Sequence, residues 1–421
     1  MLKRLEVERA GPAPRLELDF SQRINFLTGD NGLGKTFLLD IAWWALTRTW
    51  AHMPAAPRPD STAGPSAIRW EYTASRGLIT DHSEFDREAQ RWSRRRGRPA
   101  VPGMVIYAQV DGSFSVWDPA RNYLRRPASE GPDRPPAFLF SPQEVWDGLS
   151  GGKRKKLCNG LILDLAAWQR EQGAAFSQFK RVLARLSPSE DEALTPGHLT
   201  RVSLDDVRDH PTLSMPYGHE VALVHASAGI RRIVALAYLL VWTWQEHERA
   251  AQMLGTSPAR EIVFLIDEVE AHLHPQWQRC IVPALLDVME ALTGEHDIPV
   301  QLIMATHSPL VLASVEPYFD EQRDGIWELE LKDRLVSLQP FPWRRCGDVN
   351  SWLSSSLFGL GEPRSRDAEK ALVAALELLR QTRPAMADIK RVDDALRSVL
   401  SEVDSFFIRW TAFVERQRQT R

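Results

Sequence analysis

The sequence predicts an α/β protein built on a mixed sheet. Three continuous apolar runs, at residues 23–29, 261–268 and 300–307, are typical of parallel strands that are buried on both faces. The first run leads into a glycine-rich loop, and the apolar spacing over residues 35–50 then predicts a helix. A buried strand, a loop and a helix in this order form a unit of parallel α/β folds.

Shorter runs predict strands around this unit. Residues 2–8 and 15–20 are expected to form two strands joined by a turn at Gly11 and Pro12, and residues 221–227 also have strand composition. Three further runs, AIRWEYTAS, GMVIYAQV and SFSVWDP, predict strands of an antiparallel insertion. We therefore expect both parallel and antiparallel pairing.

Apolar periodicity predicts three helical regions. Residues 153–186 are periodic and charged, and they predict a helical arm. Residues 230–250 predict one long, mostly buried helix. The chain from Ser365 predicts a helical C-terminal region with a break at Pro384.

Composition and charge exclude several classes of protein. The 421 residues carry a formal net charge of −3, so any site for a polyanion must be a local patch. The three cysteines are far apart and form no CxxC pair, which suits a reducing compartment and argues against a structural zinc site. The N-terminus has no signal-peptide core, and the longest apolar run, at residues 233–242, is too short to cross a bilayer. We expect a cytoplasmic protein that does not enter a membrane.

The loop after the first buried strand, GDNGLGKT, matches the P-loop pattern GxxxxGK[ST] in its proper strand–loop–helix context. Gly29, Gly32 and Gly34 allow backbone N–H groups to wrap a phosphate at a helix N-terminus. Lys35 is expected to reach the β- and γ-phosphates of ATP, and the Thr36 hydroxyl to bind Mg²⁺. The predicted nucleotide cradle comprises Gly29, Asp30, Asn31, Gly32, Leu33, Gly34, Lys35 and Thr36.

The apolar run IVFLIDE ends in two carboxylates, Asp267 and Glu268. A strand of this kind, paired with a P-loop, forms the Walker B motif and places its carboxylates near the phosphates. We expect Asp267 to hold Mg²⁺ through water. Glu268 is then the candidate base that polarises the attacking water.

These motifs, with LIDEVEAHLHP and IMATHSP, resemble those of the ABC-type ATPases of the OLD, RecF and SMC-like group, and the resemblance extends over residues 1 to about 315. It implies that His307 is the switch histidine, which contacts the γ-phosphate. It also implies that EAHLHP is the D-loop, which meets a partner subunit. We interpret His272 and His274 as packing residues of that loop rather than metal ligands, because an HxH pair without further ligands is weak evidence for a metal.

Two segments are candidates for the ABC signature. LSGGKRK, which begins at Leu149, is closer to the consensus, whereas ASAGIRR has only a Ser-x-Gly core followed by a basic pair. Ser227 precedes Asp267 by 40 residues and Ser150 precedes it by 117, and a signature should open the long helix before Walker B. We therefore favour Ser227 and Gly229. In the family, the signature caps the γ-phosphate bound by the opposite subunit, so the resemblance implies a head-to-tail dimer on ATP binding.

A glutamine that contacts Mg²⁺ and the attacking water is also expected from the resemblance. Gln143 follows the apolar run AFLF and precedes the predicted arm, which is the context of this Q-loop glutamine. Gln109 is the alternative.

The motifs divide the chain into five regions. They are a first part of the ATPase lobe (1–50), a linker with the antiparallel insertion (51–136), the Q-loop and helical arm (137–200), the part with signature, Walker B, D-loop and switch histidine (201–345) and a helical C-terminal region suited to docking a partner (346–421).

Two basic runs are candidates for contact with DNA or RNA. Arg91–Arg98 contains five arginines, and Trp92 beside them would be available to stack on a base. The second run is Lys153–Lys156. The alternative interpretation of both is a solvated surface loop.

The sequence carries no second catalytic pattern, such as the carboxylates of a Toprim nuclease, beyond the ATP motifs. A lone ATPase of this type resembles the ATPase subunits of bacterial anti-phage systems, such as the Septu and retron-associated ones, in which a separate chain is the effector. We therefore expect an ATP-hydrolysing protein that senses nucleic acid or controls a nuclease or toxin in phage defence or genome maintenance. The alternatives are the ATPase subunit of a membrane transporter and a nucleotide-gated scaffold with little turnover.

Overall fold

The structure is a computed structural model that describes residues 1–59, 64–74, 77–93, 103–122, 135–151, 155–296 and 298–419. It divides into two compact units, Met1–Arg345 and Cys346–Arg421. The strands are β1 (Leu2–Ala10), β2 (Ala13–Asp19), β3 (Ile24–Gly29), β4 (Ala67–Ala74), β5 (Gly77–Asp86), β6 (Arg91–Trp92), β7 (Met104–Ala108), β8 (Phe114–Trp117), β9 (Phe138–Phe140), β10 (Thr195–Pro196), β11 (Thr212–Ser214), β12 (Glu220–Ala222), β13 (Ile262–Ile266), β14 (Val300–Ala305), β15 (Asp324–Lys332) and β16 (Leu335–Pro340).

The helices lie between and after these strands. They are α1 (Lys35–Thr47), α2 (Pro142–Asp147), α3 (Leu161–Glu171), α4 (Ala174–Arg185), α5 (Ala228–Leu254), α6 (Pro275–Leu286), α7 (Val288–Thr293), α8 (Pro309–Val315), α9 (Val349–Leu353), α10 (Arg366–Arg380), α11 (Met386–Val399) and α12 (Phe406–Gln419). Within the described ranges, none of them is long and apolar enough to span a membrane.

The largest sheet has the strand order β16-β15-β3-β14-β13-β7-β8-β9. Its five central strands, from β15 to β7, pair in parallel, and the strands at both edges pair antiparallel. Every residue of β7, β13 and β14 is buried, as expected of strands covered on both faces. The predicted α/β class with a mixed sheet is confirmed.

The antiparallel insertion is smaller than we expected. Of the three runs assigned to it, only β4 belongs to the antiparallel sheet, whose order is β2-β1-β4-β5-β6. GMVIYAQV forms β7, which pairs in parallel with β13 from Met104 to Ala108, and SFSVWDP forms β8 beside it. A short apolar run shows that a strand is buried but not which sheet it joins, and this ambiguity explains the error.

Helix α1 lies between the two sheets and fixes their distance. Ten of its thirteen residues are buried, including Trp43 and Trp44. The Trp44 ring meets Trp70 of β4 edge-on, with ring centroids 5.3 Å apart, while α1 also packs on the strands of the main sheet. The P-loop therefore precedes a helix that is held on both sides.

The predicted helical arm is a pair of short helices, α3 and α4, that pack against α5 within the first unit. Phe179, Val182 and Leu183 of α4 are fully buried. The strand predicted over residues 221–227 is also shorter than expected: β12 ends at Ala222, and a 3₁₀ turn follows at Leu223–His225. The long helix predicted over residues 230–250 is confirmed as α5, which the side chain of Ser227 caps.

The second unit contains α9 to α12. Its helices α10, α11 and α12 share a core of their own that includes Leu372, Leu396 and Trp410. The indole N–H of Trp410 donates to an Asp393 carboxylate oxygen at 2.9 Å, so its polar atom is satisfied although the ring is fully buried. The helix break predicted at Pro384 lies between α10 and α11.

A buried ion pair attaches the end of α1 to the antiparallel sheet. Arg48 follows α1 and pairs with Asp81 of β5, and its guanidinium also lies over the Trp70 ring at 4.6 Å. We expect Arg48→Met to lower the free energy of unfolding by about 3–5 kcal/mol, because Asp81 stays buried without this cation. Urea denaturation followed by tryptophan fluorescence measures the loss.

Arg4→Met is the matched control for this prediction. Arg4 pairs with Glu17, and both side chains are more than a third exposed. Breaking such a pair costs about 0–1 kcal/mol. Equal losses in the two variants would contradict a structural role for the buried pair.

Candidate functional site

Four neighbouring parallel strands bring the predicted motifs to one edge of the main sheet. β3 leads into the P-loop, β14 into His307, β13 into Asp267 and β7 into Gln109. The carboxyl ends of parallel strands meet at the same edge, where α/β proteins bind ligands. The P-loop, Walker B and the switch histidine are therefore neighbours in space.

The P-loop has a backbone that requires glycine. Gly29, Gly32 and Gly34 all have positive φ, and α1 begins directly after Gly34. At Gly29, a Cβ would lie 2.1 Å from the carbonyl oxygen of Leu329 in β15, so even alanine does not fit. The neighbouring strand thus requires glycine at position 29, in addition to any requirement from the phosphate that the loop is expected to bind.

Lys35 is the first residue of α1, and its side chain turns back over the loop. Its Nζ donates to the carbonyl oxygens of Gly29 and Asp30, each at 2.9 Å. Burial lowers the pKa of Lys35, and the carboxylates of Asp267 and Glu268 act in the opposite direction. The ammonium is therefore held where the phosphates of a nucleotide would lie.

Thr36 and Asp267 are joined directly. The Thr36 hydroxyl donates to an Asp267 carboxylate oxygen at 2.8 Å, although 231 residues separate them. Burial raises the pKa of Asp267, and the nearby Glu268 and Asp40 carboxylates add to this effect. A cation beside Asp267 would lower this pKa, because it stabilises the ionised carboxylate.

These two oxygen ligands fit Mg²⁺, which prefers oxygen and usually binds one or two protein ligands together with phosphate and water. Among the residues that the structure describes, no group of three or more His, Cys, Asp and Glu could hold a metal alone. This includes His272 and His274, which are exposed. His274 instead caps α6, where its Nδ1 accepts the N–H of Gln276.

Glu268 has a left-handed backbone, with φ of 47°, which is uncommon outside glycine. Arg232 of α5 stabilises this backbone conformation. One guanidinium nitrogen donates to the carbonyl oxygens of Asp267 and Glu268 at 3.0 and 3.1 Å. The other donates to the carbonyl oxygen of Val110 at 3.1 Å. Burial lowers the pKa of Arg232. The only signal for Arg232 in the sequence is the basic pair that follows the signature.

His307 lies in the switch loop, which we define as residues 306–308. Burial lowers the pKa of His307, and the charge of Lys35 acts in the same direction. Both effects favour the neutral imidazole, in which one ring nitrogen can donate a hydrogen bond to a phosphate oxygen. Glu270, which the sequence marks only as part of the D-loop, accepts the backbone N–H of His307 with its carboxylate.

The two signature candidates lie in different structures. Ser227 is exposed at the start of α5, and its Oγ accepts the N–H of Ile230. Gly229 lies against the D-loop turn (residues 268–274), since a Cβ on it would be 2.4 Å from the carbonyl oxygen of His272. Ser150 forms an isolated antiparallel bridge with Lys156, and the next described helix begins at Leu161. Of the two candidates, Ser227 is therefore the one that directly precedes a long helix, as expected of a signature.

The structure separates Gln143 from the other predicted site residues. Gln143 is exposed on α2, which follows β9, the third strand from β13 in the sheet order. Gln109 follows β7, the direct neighbour of β13, and the carbonyl of Ala108 before it accepts the N–H of Asp267 at 2.9 Å. The geometry favours Gln109 as the Q-loop glutamine.

The expectation that Trp92 is available to stack on a base is wrong. Trp92 is 3% exposed, its indole N–H donates to the carbonyl of Ala55 at 2.9 Å and its ring packs on Phe85. Arg91, Lys155 and Lys156 are exposed. The remaining positions of the two basic runs, 94–98 and 153–154, lie outside the described residues.

Fold and site together define a P-loop ATPase of the ABC class. More particularly, residues 24–313 match the family described as "AAA domain, putative AbiEii toxin, Type IV TA system", and the chain belongs to this family. That match covers more than half of the chain and includes the P-loop, Walker B and the switch loop.

Two curated relatives are a retron ATPase and a Septu protein. The chain is 32% identical over 127 residues to the retron Vc95 probable ATPase of Vibrio cholerae serotype O1 biovar El Tor, a match that covers 28% of this chain and 21% of that protein. It is 29% identical over 134 residues to the Septu protein PtuA of Bacillus mycoides (strain KBAB4), covering 32% of this chain and 16% of that one. The matches therefore span about a fifth of these relatives or less.

Solved structures are similar to the chain at low identity. The SMC head domain from Thermotoga maritima has a TM-score of 0.39 and 14% identity, covering 81% of this chain and 99% of that one. An SMC head bound to the C-terminal winged-helix domain of ScpA has a TM-score of 0.43 and 14% identity, covering 81% and 98%.

The position of Gln109 leads to a test. We expect Gln109→Ala to lower kcat for ATP hydrolysis by about tenfold or more, because it removes the amide that directly follows the strand paired with Walker B. Gln143→Ala, the control, should leave kcat within about twofold, since that side chain lies two strands further away. Phosphate release measures both, and the opposite pattern would restore Gln143 as the Q-loop residue.

Proposed function

We propose that this chain binds ATP with Mg²⁺, hydrolyses the bond between its β- and γ-phosphates and forms a head-to-tail dimer with a second copy. The observation that carries this proposal is the 2.8 Å hydrogen bond between Thr36 and Asp267. It joins the P-loop helix to the end of the Walker B strand. In this position the hydroxyl and the carboxylate can share one cation, which is the arrangement that phosphoryl transfer from ATP requires.

Each residue of the site has a chemical role in this proposal. The P-loop N–H groups and Lys35 bind the phosphates, and Thr36 and Asp267 hold Mg²⁺, which neutralises phosphate charge. Glu268 accepts a proton from the water that attacks the γ-phosphorus, while a ring N–H of the neutral His307 donates to a γ-phosphate oxygen. Gln109 orients the same water.

Dimerisation is proposed from the surface around the signature. Ser227 is exposed at the N-terminus of a 27-residue helix, where N–H groups and the helix dipole favour an anion. In the proposed dimer, Ser227 and Gly229 of one copy bind the γ-phosphate held by the P-loop of the other. ATP is then needed at the interface, which makes closure depend on the nucleotide.

The biological role that we propose is control of a separate effector in phage defence. The family assignment and the names of the retron and Septu relatives support it. The effector, a nuclease or a toxin, would dock on the second unit, which is a distinct helical body with its own core. The exposed Lys155 and Lys156 support contact with nucleic acid, so turnover should be compared with and without DNA.

The main test is a Glu268→Gln variant, which removes the base but keeps Mg²⁺ ligation by Asp267. We expect ATP binding to persist, kcat to fall by about 10²-fold or more, and an ATP-bound dimer to accumulate. Sedimentation velocity with and without ATP measures the dimer. Lys35→Ala is the companion variant, and its full-strength ATP binding would sink the site assignment.

The dimer interface is tested in the same background. Ser227→Arg should prevent the ATP-dependent dimer, because a long cation replaces the hydroxyl at the interface. Ser150→Arg is the matched control and should leave it intact. Dimer loss from Ser150→Arg alone would show that LSGGKRK is the signature.

Removing residues 346–421 should leave ATP binding intact, because every nucleotide motif lies in the first unit. Affinity purification from the native host should then recover the effector with the full chain and not with the truncated one. Full-length variants with uncharged residues in place of charged ones on the surface of the second unit are the controls for the truncation, because their second unit stays folded. Recovery of the same effector by the truncated chain would contradict docking on the second unit.

A further inference from the structure

Glu270 is a carboxylate of the candidate site to which the mechanism above assigns no step. It lies in the D-loop turn, three residues after Asp267. Both of its oxygens accept hydrogen bonds from the switch loop: one from the backbone N–H of His307, and the other from the hydroxyl of Thr306 at 2.8 Å. A carboxylate that accepts from two consecutive residues fixes their place relative to its own backbone.

A second set of hydrogen bonds joins the same two segments. The N–H of Ser308 donates to the Thr306 hydroxyl at 3.0 Å, and the Ser308 hydroxyl donates to the side-chain oxygen of Gln278 at 2.7 Å. The amide nitrogen of Gln278 donates in turn to the carbonyl of Leu273 in the D-loop turn at 3.0 Å. The switch loop and the D-loop turn are therefore closed into one ring of hydrogen bonds.

The switch loop is also tied to the P-loop strand, since the N–H of Thr306 donates to the carbonyl of Leu27 at 3.0 Å. On its other side, the D-loop turn lies against the start of α5, at Gly229. A displacement of α5 at the signature would therefore reach the D-loop turn directly. Glu270 is the side chain through which the turn holds the switch loop.

We propose that Glu270 is a positioning residue that sets the place of the His307 imidazole and couples it to the D-loop turn. This inference rests on the proposed function, in which His307 contacts the γ-phosphate. The carboxylate also acts on the charge of the imidazole: it opposes the lowering of the His307 pKa by burial and by Lys35. Glu270 thus has a geometric and an electrostatic effect on the same side chain.

A double-mutant cycle on the full chain tests the geometric effect. We expect Glu270→Ala to lower kcat for ATP by about 10- to 100-fold, with a change in KM below about twofold, because a displaced donor weakens the transition state rather than ATP binding. His307→Ala should also lower kcat. The combined variant should be no slower than His307→Ala, since Glu270 acts through His307.

The electrostatic effect has its own measurement, the pH titration of the His307 ring by NMR on ¹⁵N-histidine-labelled protein. Glu270→Gln keeps an oxygen that can accept the His307 N–H but removes the negative charge, so the His307 pKa should fall and kcat should be partly restored relative to Glu270→Ala. Glu321→Gln, which neutralises an exposed carboxylate, is the matched control and should change neither. Glu270→Gln alone still gives this readout if the alanine variant does not fold.

Three results would overturn the inference. Wild-type kcat in Glu270→Ala would contradict the positioning role. If Glu270→Ala lowered kcat by the same factor in the His307→Ala background as in the wild type, the two residues would act independently. An unchanged His307 pKa in Glu270→Gln would remove the electrostatic effect. Wild-type kcat in His307→Ala would contradict the role of His307 in the proposed function itself, which separates that failure from a failure of Glu270.

Discussion

Hydrogen bonds between the parallel strands β3, β14, β13 and β7 determine the positions of all the candidate catalytic groups. Ile266 pairs with Met304 on one side and with Ala108 on the other, and Ala305 pairs with Leu27. β7, β13 and β14 end at this level and β3 ends two residues later, and each strand continues into a different motif. Because side chains alternate between faces, a slip of one residue in any pair would turn one motif away from the others.

Charge balance is the second constraint on this edge of the sheet. Asp267, Glu268 and Glu270 lie within four residues, and the pKa of Asp267 is raised because its charge is poorly solvated. The buried Lys35 and the partly buried Arg232 are cations near these carboxylates, and burial lowers the pKa of both. Buried charges of opposite sign stabilise one another when each also has hydrogen bonds, as Lys35 and Arg232 do through backbone carbonyls.

The sequence was sufficient to predict what depends on local patterns: the buried strands, the P-loop, Walker B and the helix that follows Ser227. It was not sufficient where a property depends on which strands are neighbours. Gln143 had the better local context for the Q-loop glutamine, whereas Gln109 follows the strand that pairs with Walker B, so this assignment stays a prediction. Trp92 was misjudged for a similar reason, because the α1 helix that covers it lies about fifty residues earlier in the chain.

Gly229 has a consequence for how such motifs are interpreted. Its missing side chain is demanded by the carbonyl of His272 in the same subunit, whatever a second subunit does. Internal packing alone would therefore preserve this glycine in a relative that works as a monomer. The presence of the Ser-x-Gly core in a sequence is evidence that α5 and the D-loop turn are in contact, and self-association has to be established from the chemistry of Ser227 instead.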